Sequence, residues 1–470
     1  MRILSRFLRG AVNKIADEAV RTTVKDKYTE NLFEMIPSTK KVDPINLAEI
    51  VMRAARGTPV PRPLGSHLHL SPWEKLLFNP VHLFRFPTPE DVGINTSVKI
   101  GPKAKKPLSI TIPLLIAGMS FGGALSKNTK IALAKAATMA GTATNTGEAG
   151  LMEEERKAAR LLIGQYNRGG WLNDPEKYTR LDAIEIQLGQ GAQGSTPQRT
   201  AAKNIGGEYE EVLGLAGGQD AIIHSRLPDV NTREDFSRLV GRLKAETGVP
   251  VGLKIAATHY LEEEMQIALD AQCDFITLDG AEGGTHGGPP ILQDDVGLPS
   301  LFAISRAAQF LTKKGVNGDI SLIATGGLVT PGQMLKAMAL GANAVYIGTA
   351  AIMALIGDQI TKSLPFEPPT DLAVYTGKMK DRLDVDKSAR NLFYFLNACV
   401  REMELVAITT GKVALGDLNR DDLVALDPFL ARALKIDLGY VAPESQAAFF
   451  SESRTSCGAF QAGSRKPRTI

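Results

Sequence analysis

Twelve residues concentrate chemistry in this chain: DGAEGGTHGGPP, Asp279 to Pro290, with five glycines, two carboxylates and a histidine directly after the apolar run CDFITL. A core strand that ends in so much glycine suits a backbone that comes close to a bound ligand. Small-residue stretches recur in AGMSFGG (117–123), NTGE (145–148), LGQGAQG (188–194), ATGGL (324–328) and IGTA (347–350). Such loops free backbone amides to meet phosphate oxygens. Gly326 and Gly327 precede TPGQ, whose threonine and proline suit a helix start, and a helix N-terminus favours an anion. With Gly283 and Gly284, and with Gly348 and Thr349, three adjacent loops predict a phosphate site; the alternative is that the glycines only make tight turns. Gly118, Met119 and Ser120 end another apolar run, where a flat ring lies against backbone and Ser120 bonds its edge. Asn145, Gln187 and Gln190 both donate and accept, matching a heterocycle with N–H and C=O groups. Lys254, in GLKIA, either stabilises negative charge on such a ring or pairs with a neighbouring carboxylate, because a buried lysine needs a partner. Glu148 suits proton transfer; otherwise it starts a helix and faces its dipole. Asp279, Glu282 and His286 lack a helical metal-ligand spacing, and no metal site is expected. Cys273 opens a strand and reads as a small buried hydrophobe.

The elements that must position these residues alternate. Strand-like runs at 112–117, 142–147, 161–167, 183–190, 249–256, 273–280, 320–327 and 343–350 are separated by helical patterns. Those patterns cover 127–140, 152–161, 175–181, 232–247, 261–272, 300–314 and 330–341. In 232–247 the apolar positions Phe236, Leu239, Val240 and Leu243 follow a helical period. Alternation of this kind calls for a parallel sheet with right-handed crossovers. Eight units over about 240 residues predict a closed (β/α)8 barrel, an α/β TIM barrel. An open doubly wound sheet is the runner-up, but it would gather the unusual residues at one or two switch points; here they follow nearly every strand.

Residues 1–105 read as an N-terminal extension packed on the barrel. Residues 106–355 form the barrel, entered through a hairpin in SVKIGPKAKKPLSI, and 191–230 are a less legible insertion. Residues 356–470 are mainly helical, with a buried helix over 388–408 and a polar, basic, mobile tail.

Lys and Arg total 54 against 51 Asp and Glu, a net charge of +3 that gives no reason to expect nucleic acid as a partner. Three scattered cysteines argue against a disulfide framework and fit a reducing, cytoplasmic setting. No apolar run reaches the length of about 18 residues that a transmembrane helix needs. The first twenty residues are basic and amphipathic. They read as a helix packed on the body, with a presequence or a membrane-surface helix as the alternative.

Seven motifs in order, AGMSFGGALS, TNTGEAG, IEIQLGQGA, GLKI, DGAEGGTHGGPP, TGGL and IGTAA, resemble the FMN-binding synthase domain of glutamate synthase over roughly 110–355. The resemblance implies a barrel holding FMN at its strand ends and hydride transfer to 2-iminoglutarate, formed from 2-oxoglutarate and ammonia. It also implies FMN contacts at Gly118, Met119, Ser120, Asn145, Gln187, Lys254, Gly283, Gly284, Gly326, Gly327, Gly348 and Thr349. Glu148, Lys254 and Gln190 are then the candidate catalytic residues. The chain departs from the family in three ways. It opens at Met1-Arg2 without a glutaminase domain, so ammonia would come from solution or a partner protein. The stretch 354–377, where the family places iron–sulfur cysteines, holds no cysteine, so electrons would come from a separate donor. Gln187 and Gln193 stand where the family carries lysines that hold a dicarboxylate, and neutral amides attract a diacid less. The expected function is an FMN-dependent oxidoreductase acting on a small amino or oxo acid. The alternatives are a flavin-dependent dehydrogenase or oxidase of another amine or hydroxy acid, and a non-catalytic barrel subunit.

Overall fold

The computed structural model of the chain describes residues 2–25, 27, 40–364, 369–447 and 449–450. Two compact units divide the chain, Met1–Pro61 and Arg62–Ile470. The first holds the helices Arg2–Lys25 and Pro44–Arg56. Asp43 caps the second helix by accepting from the amides of Ile45 and Asn46, and Gly57 ends it in the left-handed conformation.

The second unit is built on eight parallel strands: β1 (Leu114–Ile116), β2 (Thr144–Asn145), β3 (Leu162–Tyr166), β4 (Ala183–Gln187), β5 (Val251–Ala256), β6 (Phe275–Asp279), β7 (Ser321–Thr325) and β8 (Ala344–Ile347). From β2 to β8 each strand pairs with the next in chain order, and β8 pairs with β1 through Val345 opposite Leu114. The seam between β1 and β2 is joined where the Ile116 amide donates to the Ala143 carbonyl at 3.0 Å and the Thr142 hydroxyl donates to the Leu114 carbonyl at 2.7 Å. The fold is a nearly closed (β/α)8 barrel, and the open doubly wound order is not found. The helices that follow the strands are α1 (Lys127–Ala140), α2 (Glu153–Ala158), α3 (Pro175–Tyr178), α4 (Arg233–Thr247), α5 (Leu261–Asp270), α6 (Ser300–Lys314), α7 (Pro331–Ala339) and α8 (Thr349–Ile356). Phe236, Leu239, Val240 and Leu243 of α4 are all buried, as the helical period requires. Each such side chain contributes roughly 1.5–3 kcal/mol when taken out of water.

Successive inward positions along the strands form layers. The lowest is apolar: Leu115, Ala143, Ile163, Ala183, Phe275, Ile323 and Ala344 cluster with Ile100, Leu108 and Ile110. Those last three belong to the hairpin Val98–Ile100/Leu108–Ile110, which closes the N-terminal end of the barrel. Above it lies a polar layer, and above that the strand ends. The insertion 191–230 folds into a small antiparallel pair, Gln198–Thr200 with Ala221–Ile223, and the helix Gly207–Leu213. Its Tyr209 meets Phe121 and Tyr375 with ring centroids 5.9 and 5.4 Å apart, which ties the insertion to the loop after β1. After the barrel, α9 (Val385–Thr409) packs on α1 and α8. Leu423–Ala425 pairs antiparallel with Leu76–Phe78, from before the barrel.

Candidate active site

The C-terminal ends of β4, β5 and β6 bring three polar side chains side by side. Register places Lys254 opposite Gln187 on one side and opposite Thr277 on the other. Lys254 is buried, and its Nζ lies 3.5 Å from Asp279 Oδ2. The ion-pair reading of Lys254 is therefore realised. Burial pushes the Asp279 carboxyl up, and the Lys254 ammonium opposes that shift. Gln187 is fully buried; its Nε2 donates to Gln190 Oε1 at 3.2 Å, and its own Oε1 meets no donor. A buried amide oxygen without a partner costs free energy unless a ligand satisfies it.

Beneath this row lies a network that sequence reasoning missed. Glu185 Oε1 accepts from Asn145 Nδ2 at 3.1 Å and from Gln165 Nε2 at 2.8 Å, and Oε2 accepts from the Thr277 hydroxyl at 2.6 Å. Asn145 Nδ2 also donates to Tyr346 Oη at 3.1 Å, and Asn145 Oδ1 accepts the Gly147 amide at 2.9 Å. The Asn145 side chain is thus committed within the protein. Its signal was legible in AIEIQ: alternation puts Ala183, Glu185 and Gln187 on one strand face. Gly118 rests on this network, since a Cβ there would stand 2.7 Å from Gln165 Nε2 and 2.8 Å from Asn145 Oδ1.

Lys130 is a second missed residue. It sits on the same helical stripe as Leu133, Ala134 and Ala137, all buried, and a lysine on a core-facing stripe is a signal in itself. Its Nζ donates to the carbonyls of Met119 and Asn145, each at 2.8 Å, and pairs with Glu155 at 2.8 Å. The clamp joins the loops after β1 and β2. The backbone at Met119 and Ser120 lies against Gly147, where a Cβ would come within 2.5 Å of the Ser120 amide nitrogen.

Glu148 is buried beside the loop after β3, with Arg168 Nε and Nη2 at 3.2 and 3.3 Å from its two oxygens. Arg168 is completely buried, and its Nη1 has no acceptor. Gln193 donates to the Thr285 hydroxyl at 2.6 Å, tying the β4 loop to the β6 loop.

The glycine loops close the other side. Gly327 has φ +69°, and a Cβ would stand 2.5 Å from Glu282 Cβ; Gly326 precedes it against Gly280. Glu282 itself caps α6, accepting from the Ser300 amide at 2.8 Å. Gly283 closes a turn with its amide on the Gly280 carbonyl at 2.9 Å. At Gly284 a Cβ would stand 2.9 Å from Thr349 Oγ1, so the β6 and β8 loops touch. The start of α7 closes on itself: Thr330 accepts the Gln333 amide, and Gln333 Oε1 accepts the amides of Thr330 and Val329. Those donors are spent. Gly348 begins α8 with no side-chain cap, so of these two helix starts that of α8 is the better suited to an anion. Among the described residues, no three His, Cys, Asp or Glu side chains converge as metal ligands, and no helix is long and apolar enough to cross a membrane.

The family model for the conserved region in glutamate synthase matches residues 82–412. The chain belongs to the glutamate synthase family. It is 32% identical over 419 residues to a glutamate synthase large subunit-like protein of Rhizobium meliloti, covering 84% of this chain and 94% of that protein. It is 33% identical over 329 residues to the archaeal glutamate synthase (NADPH) of Methanocaldococcus jannaschii, covering 69% of this chain and 64% of that enzyme. The match therefore spans less than two thirds of the archaeal enzyme. Among solved structures, a Pediococcus acidilactici protein described as a lactate oxidase shares the fold, at TM-score 0.50 and 16% identity, over 76% of this chain and 84% of that one.

Proposed function

We propose that the chain is an FMN-dependent oxidoreductase that moves a hydride between flavin and a small amino or oxo acid. The observation that carries the reading is the unpartnered Gln187 Oε1, a buried acceptor at the strand ends where a ring N–H would satisfy it. Bound FMN would supply the hydride-transferring ring. Gly118, Met119 and Ser120 offer backbone to one face of it, and Asn145 supports that floor from below. Lys254 and Asp279 set the charge beside Gln187. The uncapped start of α8 at Gly348 and Thr349, with Gly283, Gly284, Gly326 and Gly327 around it, suits the phosphate. Glu148 and Gln190 handle protons, and Arg168 Nη1 offers a charged donor to a substrate carboxylate. The cytoplasm is the proposed location, and electrons and ammonia are proposed to come from solution or a partner protein. The test is the visible spectrum of the purified, desalted protein. Flavin absorbance with FMN released on denaturation supports the reading; a colourless protein that takes up no added FMN overturns it.

One observation favours a second substrate class. The buried cations of this end are matched by carboxylates: Lys254 by Asp279, Arg168 by Glu148, Lys130 by Glu155, and Gln187 and Gln193 add none. A neutral wall attracts a dianion weakly, which favours a monocarboxylate amine or hydroxy acid over 2-oxoglutarate. Reduction of the flavin by a panel of amino and hydroxy acids, against oxidation by 2-oxoglutarate with ammonia, separates the two.

A further inference from the structure

The helix Arg2–Lys25 has a sequence pattern of its own. We propose that it is an interfacial helix that lies flat on an anionic lipid surface. Leu4, Leu8, Ala11 and Ile15 recur at three- and four-residue steps, with Phe7 and Val12 beside them, which gathers the apolar residues on one stripe. On that stripe Val12 and Ile15 are exposed by 61% and 69%, while Val20 and Val24 fall on the opposite side of the helix. The helix holds Arg2, Arg6, Arg9, Lys14, Arg21 and Lys25 against Asp17 and Glu18. Its net charge of +4 compares with +3 for the whole chain, so all other residues sum to −1.

The placement of that charge argues for an external anion. The first turn contains no acidic residue, and Arg2 and Arg6 stand at the end where the helix's own dipole disfavours cations. Intrinsic helix stability therefore does not account for them. A second copy of the same helix does not account for them either, because stripe-to-stripe pairing would bring two +4 segments together. A surface of negative headgroups over an apolar interior meets both the charge and the stripe.

The experiment uses the full chain and sedimentation with vesicles of phosphatidylcholine alone or with about 30% phosphatidylglycerol. The expected result is binding to the anionic vesicles that is at least about tenfold weaker on neutral ones, and that weakens likewise on raising salt from about 0.1 to about 0.5 M. Ile15→Glu, on the stripe, and the paired Arg6→Gln/Arg9→Gln change, on the polar side, each abolish it while the thermal transition of the protein stays in place. The wild-type salt and lipid series needs no variant, so a poorly folded mutant leaves the test intact. Equal binding to both vesicle types overturns the proposal. So does absence of vesicle binding, including the case in which light scattering finds a dimer that Ile15→Glu converts to a monomer.

Discussion

Replacing Gln187 by leucine separates a ligand-facing acceptor from an ordinary core residue. The Gln187 side chain is fully buried, with Oε1 unpartnered and Nε2 held only by Gln190 at 3.2 Å. Leaving a buried acceptor unsatisfied costs about 1–3 kcal/mol, while a neutral hydrogen bond of this kind returns about 0.5–1.5 kcal/mol. Gln187→Leu keeps the volume and removes both terms. The cofactor-free protein is therefore expected to gain between zero and about 2 kcal/mol of stability. FMN binding should move the other way. In the wild type the ligand relieves the orphaned oxygen; in the variant there is nothing to relieve. The expected loss is about 1–3 kcal/mol, roughly a 5- to 150-fold rise in Kd. Urea unfolding of the apoprotein gives the first quantity, and flavin fluorescence titration gives the second. A variant that is less stable without FMN and binds it as tightly as the wild type would refute the reasoning, since Oε1 would then be a structural group with an unseen partner.

Gly327→Ala forces a side chain into φ +69° with its Cβ 2.5 Å from Glu282 Cβ; a loss of at least about 1–2 kcal/mol is expected from the backbone alone, read by urea unfolding. Arg168→Met leaves the Glu148 carboxylate buried without its cation, which should cost about 3–5 kcal/mol, and adding Glu148→Gln should restore part of it. A loss below about 1 kcal/mol in the single variant would show that water reaches the pair. Stability should also fall with rising pH. Burial pushes the Cys273 thiol from 9.0 up to about 12, so the folded chain keeps this proton where the unfolded chain loses it. The contribution is complete below about pH 9 and declines from there towards pH 12, by at most about 4 kcal/mol. Thermal unfolding between about pH 8 and pH 10.5 should show a shallower decline in Cys273→Ala than in the wild type.

The barrel was legible because its helices and strands carry different periods. The helical run 300–314 is observed as Ser300–Lys314, and 127–140 as Lys127–Ala140. Strands came out shorter than their apolar runs: 112–117 yields Leu114–Ile116, and 142–147 yields Thr144–Asn145. Hydrophobicity extends past the point where ladder bonding stops. The helical pattern over 152–161 ends at Ala158, as the chain turns there to enter β3. The insertion 191–230 was illegible because its order comes from distant partners, such as Tyr209 on Phe121 and Tyr375. The glycine loops announced themselves by composition, but Arg168, Lys130, Gln165 and Glu185 did not. Their partners lie far away in sequence or on other elements, so the tertiary fold alone shows what each of them meets.

Glu185, Gln165 and Lys130 explain how the glycine loops hold a defined shape. A glycine floor is conformationally free, and a binding site needs it fixed. Glu185 gathers donors from β2, β3 and β6, so three strands share one carboxylate at fully buried depth. Asn145 passes that restraint upward by holding the Gly147 amide, and Gly118 rests on the same Asn145 and Gln165 atoms. Lys130 fixes the other side through the Met119 and Asn145 carbonyls. All of these bonds except the one to the Met119 carbonyl are buried, so breaking one leaves an unsatisfied buried group. The rigidity of the mouth therefore comes from the polar layer beneath it, and the glycines above are free to be small because they are not asked to be stiff.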